Sequence, residues 1–136
     1  MLQNVNWLAV LVAFVASNVL GMLWFSALFG KAWIKTLGRS AKELAKMKKS
    51  SGRSMVIGAI GTLVTVFVLG AVLRYTEATA PMHGAMVGFW VWLGFVAPVM
   101  MGPVIWSRTS TWKRYVIEAS YQLVNLAMLG AILASF

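Results

Sequence analysis

Four long apolar stretches, Val5 to Leu28, Ser54 to Leu73, Gly84 to Trp106 and Tyr115 to Ser135, alternate with short segments that hold nearly all of the Lys and Arg. Each approaches the ~20 mostly apolar residues that a helix needs to cross ~30 Å of hydrocarbon. A surface helix of a soluble domain carries a polar face at a period of ~3.6 residues, and Val56 to Leu69 carries none. The alternation of a transmembrane strand is absent too, and an unpaired strand edge is intolerable in lipid. The pattern predicts an all-α chain, a transmembrane four-helix bundle forming a single integral membrane domain over 1–136. The predicted spans are 5–28, 54–73, 84–106 and 115–135, with a basic cytoplasmic loop over 29–53.

Composition strengthens that reading. A chain of 14.9 kDa that is 60% hydrophobic and 11% charged, with a mean hydropathy of +0.80, has too little polar surface to cover a water-soluble globule. Met1 to Asn6 holds no Lys or Arg, so the first stretch reads as a retained helix rather than a cleaved signal peptide. Cysteine is absent, which removes disulfides and thiolate metal sites.

Charge sets the expected orientation. Lys31, Lys35, Arg39, Lys42, Lys46, Lys48, Lys49 and Arg53 lie between the first two stretches against the single acid Glu43. Arg108, Lys113 and Arg114 lie between the third and fourth, whereas Arg74 stands beside Glu77 in the remaining connection. The positive-inside rule then places both basic connections in the cytoplasm and both termini outside, in the periplasm of a bacterial inner membrane. Trp7 and Tyr75 mark the outer ends of spans, and Trp33, Trp106, Trp112 and Tyr115 the inner ends, as interfacial anchors do. Trp90 and Trp92 sit deeper, where they pack on other helices or a second subunit, or form a ligand platform.

Within the basic segment, Ser40 and Glu43 have the spacing of a capping box, predicting a short surface helix around Leu44 and Met47. The eight cations of that segment are the expected contacts to anionic lipids, at ~1 kcal/mol each near the surface. The alternative is a solvated loop whose charges only set topology. Nucleic-acid binding needs a recognition motif that the chain lacks.

Small residues recur at four-residue spacing in Ser17 and Gly21 and in Gly84 and Gly88, which permits close helix contact in lipid. Pro98 and Pro103 predict a kinked third helix, because neither can donate a backbone hydrogen bond and carbonyls near Gly94 and Val99 are freed. Such breaks line binding sites in some transporters and are simply packed over in other proteins. In the fourth span Glu118, Gln122 and Asn125 share one helical face, expected to turn toward Ser17 and Asn18 or the freed carbonyls near Pro98. A desolvated Glu118 suits proton-coupled movement, whereas a Glu118 paired with Arg114 four residues earlier is a structural ion pair near the interface.

Enzyme templates do not fit. There is no Asp, no Cys and one histidine, His83, so neither a Ser-His-Asp triad nor a multi-histidine metal cluster can be assembled in one chain. The chain is expected to be no enzyme and to use no cofactor.

Asn6-Trp7, the exit of the first span through Trp24-Phe25-Ser26 and Phe29-Gly30-Lys31 to Trp33, the run from Gly88 to Pro98, and the run from Trp112 through Tyr115, Glu118 and Tyr121 to Gly130 carry a resemblance. They resemble the bacterial family known as domain of unknown function seventeen-sixty-one over nearly the whole chain. Ala27 stands where that family often has proline, and Glu118 where other polar residues are frequent. The resemblance implies a small four-helix membrane protein and carries no catalytic residues. Small multidrug transporters depend on an acid in the first span, which this chain lacks. The functional expectation is a non-catalytic accessory or packing subunit of a membrane assembly. The alternative is a homo-oligomeric transporter or channel with a polar path along Glu118, Gln122, Asn125, Asn18 and Pro98.

Overall fold

The computed structural model describes residues 6–136, so Val5, the first residue of the first predicted span, lies outside the described residues. All regular structure among the described residues is helical. Helix α1 (Trp7–Met22) is opened by Asn6, whose side chain accepts from the Ala9 amide, and continues into a π-helical turn over Leu23–Leu28. After Phe29, α2 (Gly30–Leu37) ends at Gly38, whose φ of 61° is the left-handed cap that glycine adopts without a Cβ clash. Ser40 caps α3 (Ala41–Lys49), its hydroxyl accepting from the Glu43 amide at 3.3 Å and meeting the Glu43 carboxylate at 3.2 Å. The segment read as a basic loop thus holds two helices.

Helix α4 (Ser51–Tyr75) follows after a single residue. The third apolar stretch is divided into α5 (Pro81–Val91), a π-helical turn (Trp92–Val96), α6 (Ala97–Met100) and α7 (Gly102–Ile105). Pro98 and Pro103 each fall in the first turn of the helix that follows the division, where an amide has no intrahelical acceptor and its absence costs nothing. Helix α8 (Trp112–Ser135) is capped by Thr111, which accepts from the Arg114 amide.

Trp7–Leu28, Ser51–Tyr75, Pro81–Ile105 and Trp112–Ser135 are long and apolar enough to cross a membrane. The helices of the second, third and fourth stretches begin three residues before their predicted apolar spans, because polar residues such as Arg53, His83 and Arg114 continue a helix beyond the hydrocarbon that the apolar run measures.

Helix α8 is the hub. It packs along α5 over its length and touches α1 and α4 as well. A Cβ built on Gly84 would collide with the Gly130 carbonyl and with Ala134, and one built on Gly88 with the Leu126 carbonyl. Gly130 meets the Gly84 carbonyl in return, so two backbones touch directly, as small residues allow in lipid. Val10 and Ala13 of α1, Val66, Leu69 and Leu73 of α4, and Leu126 and Leu129 in the second half of α8 form the buried core, toward the end away from the basic segment.

Candidate functional site

The polar side chains of the spans gather where α1 and its π-helical turn lie on the first half of α8. Ser17 and Asn125 are both buried, and the Ser17 hydroxyl donates to Asn125 Oδ1 at 2.8 Å. Removing one partner would strand the other away from water, so this bond fixes the register of α1 on α8. One turn toward the basic end, the Tyr121 hydroxyl reaches the Ser17 carbonyl at 3.5 Å. The Tyr121 ring packs edge to face on Phe25 at 5.1 Å and lies tilted toward Trp24 at 6.2 Å. Trp24 donates its indole N–H to the Ile117 carbonyl at 3.0 Å. A Cβ on Gly21 would lie 3.1 Å from the Tyr121 oxygen, so the Ser17 and Gly21 pair receives an aromatic ring rather than a helix backbone.

Glu118 marks the interfacial end of this seam. Arg114 Nε lies 2.9 Å and Trp33 Nε1 3.0 Å from the same carboxylate oxygen, and the pair with Arg114 is 28% exposed on each side. Trp33 therefore does more than anchor in the headgroup region: it ties α2 to α8, with its ring also against Phe25 at 5.2 Å. The third stretch is tied to α8 in the same manner. Trp92 donates to the Ala119 carbonyl at 2.8 Å, and Tyr115 donates to the Ala97 carbonyl at 2.9 Å, beside Pro98.

Of the residues singled out in the sequence, Asn125 meets Ser17, while Asn18 donates its amide to Phe14 of its own helix at 2.8 Å. Gln122 is half-buried and makes no side-chain hydrogen bond among the described residues. Gly94, Pro98 and Val99 are exposed, and a Cβ on Gly94 would meet nothing within 4 Å. Glu118 and Asn125 are separated by the Tyr121 ring rather than joined by a polar line. Lys31 and Lys35 lie on α2, Arg39 in the turn after it, Lys42, Lys46, Lys48 and Lys49 on α3, and Arg53 on α4, all exposed. Among the described residues no three His, Cys, Asp or Glu side chains come together.

Among the described residues five indole or phenol groups, on Trp24, Trp33, Trp92, Tyr115 and Tyr121, donate to acceptors on a neighbouring helix, and sequence reasoning did not assign those bonds. The usable signal was chemical: a partly buried indole or phenol needs an acceptor, and in lipid only the protein supplies one. Residues 8–134 match the family described as protein of unknown function (DUF1761). The chain belongs to this family. No curated protein and no solved structure matches the chain. In this DUF1761 protein the Trp24, Phe25 and Trp33 exit of the first span is the wall that receives Tyr121 and Glu118.

Proposed function

We propose that this DUF1761 protein is a non-catalytic accessory or packing subunit of a membrane assembly. It is read as a four-helix bundle with a kinked third helix, in a bacterial inner membrane, with its basic segments cytoplasmic and both termini outside. The observation that carries this reading is the use made of the polar groups. Ser17, Asn125, Trp24, Trp33, Trp92, Tyr115 and Glu118 each tie one helix to another or to its own ion pair, which builds a scaffold rather than a reacting centre. Broad apolar faces that include Trp90, Phe95 and Val99 remain exposed on the third stretch, where lipid or another membrane protein can cover them.

The second reading, a homo-oligomeric transporter or channel, keeps Glu118, Gln122, Asn125, Asn18 and Pro98 as its path. It is favoured by the half-exposed Glu118, and it needs Tyr121 to move aside. The test is purification in mild detergent from the native membrane, with the mass of the intact complex and the co-purifying chains determined together. A stoichiometric foreign membrane protein is the expected result. A pure homo-oligomer would contradict the accessory reading and turn attention to flux assays with Glu118→Gln.

A further inference from the structure

The α1 and α4 helices close on each other over only half of their length. Away from the basic end, Val10, Ala13, Val66, Leu69 and Leu73 are buried between them and α8, and the Trp7 and Phe67 rings meet edge to face at 5.6 Å. Toward the basic end, α4 is exposed from Ser51 to Val64 apart from the half-buried Ala59 and Thr62. A cleft of about 410 Å³ opens there, lined by Gly21 and Met22 of α1, by Phe25 of the π-helical turn, by Met55 and Gly58 of α4, and backed by Tyr121.

We propose that this cleft holds an acyl chain of an anionic phospholipid from the leaflet on the basic side. The proposal deepens the membrane reading above and rests on it. Depth selects the occupant. From Met55 to Thr62 the cleft runs roughly 10 Å along α4, within the ~15 Å of one leaflet's hydrocarbon. A lipid chain ends at mid-bilayer, whereas a helix of a second copy crosses the whole ~30 Å and would be shut out of the closed half. The lining is mostly apolar, and its polar groups are already engaged: Asn18 donates to Phe14, and Tyr121 donates to Ser17. Charge selects the headgroup. Lys31 lies in the first turn of α2, Lys49 ends α3, and Arg53 lies in the first turn of α4 two residues before Met55 of the lining, all exposed. Cations on that side attract an anionic headgroup.

The experiment uses the full chain in mild detergent, stripped of lipid and titrated with phosphatidylglycerol or phosphatidylcholine of identical acyl chains, with bound lipid read by native mass spectrometry. The wild-type chain is expected to retain one phosphatidylglycerol with about tenfold preference over phosphatidylcholine. Gly58→Leu fills the cleft from a position where a Cβ meets nothing within 4 Å, so the fold tolerates it, and retention of both lipids should fall about tenfold. Lys49→Gln combined with Arg53→Gln should erase the headgroup preference and leave phosphatidylcholine binding in place. Gly94→Leu, equally open but on the third stretch, should bind as wild type does. Lipid retention unchanged by Gly58→Leu, or a second copy of the chain bound in place of lipid, would overturn the cleft alone. A wild-type chain without anionic preference would overturn the basic-face reading beneath it as well.

Discussion

On α5, Gly84 and Gly88 lie against the backbone of α8, and Gly130 returns the contact; on α4, Gly58 and Gly61 lie against nothing within 4 Å. Both helices are apolar and dotted with glycine, yet one forms a sealed seam and the other leaves an open cleft. The difference lies in what stands opposite. Close packing in lipid depends on van der Waals contact between two surfaces, so a small residue brings helices together only where the partner leaves its own backbone within reach, as Gly130 does for Gly84 and Leu126 for Gly88. Across the cleft from Gly58, by contrast, stand Met22, Phe25 and the Tyr121 ring.

The largest effect that bears on this contrast is expected at the seam. Gly84→Leu or Gly130→Leu drives a side chain into the partner's backbone and should destabilise the protein by about 3 kcal/mol or more, read as a lowered unfolding midpoint in detergent. A wild-type midpoint for either variant would break the comparison. Next comes the bond that fixes α1 on α8. Asn125→Ala should lower stability by about 1 kcal/mol, and a double-mutant cycle with Ser17→Ala should return a coupling of about 0.6–1.7 kcal/mol. Additive losses would show that the two groups act independently. Smaller still is the interfacial tie. Glu118→Gln should cost about 0.5 kcal/mol, since its pair with Arg114 is partly solvated. Trp33→Phe should leave the spans in place while hydrogen exchange quickens across Gly30–Leu37. The smallest effect is expected for Gly58→Leu, within about 0.5 kcal/mol of wild type, because its new side chain enters open space.

The four stretches were legible because apolar length is a one-dimensional property, and each exceeds what the hydrocarbon demands. The capping box at Ser40 and Glu43 was legible for a similar reason: its chemistry is local. Helix ends were less so, since Ser51 to Arg53 and Trp112 to Arg114 extend helices with residues that read as loop. The π-helical turn at Leu23–Leu28 left no trace in the pattern, because the same residues fit an α-helix. What accompanies it is the tight approach of Gly30, where a Cβ would lie 2.9 Å from the Phe25 carbonyl.

For the candidate site, the shared face of Glu118, Gln122 and Asn125 was readable from spacing, and so was the direction of Asn125 toward Ser17. The partner of Glu118 was only half readable. Arg114 follows from an interval of four residues, whereas Trp33 is 85 residues away and reaches the carboxylate only because α2 folds back over α8. Glycine motifs were the least decisive signal. Gly84 and Gly88 form a seam, Gly21 takes a tyrosine and Gly58 takes nothing, although all lie in similar apolar surroundings.

The contrast between sealed and open helix pairs is tested most directly by two distance distributions from spin labels in a bilayer. The chain has no cysteine, so introduced labels are unique. One pair, at Met86 and Val124, bridges α5 and α8; the other, at Val19 and Ile57, bridges the basic halves of α1 and α4, and all four positions are exposed. A narrow distribution is expected for the first pair, and for the second a broad one in neutral lipid that narrows when anionic lipid is added. Equal widths for the two pairs in neutral lipid would contradict the contrast.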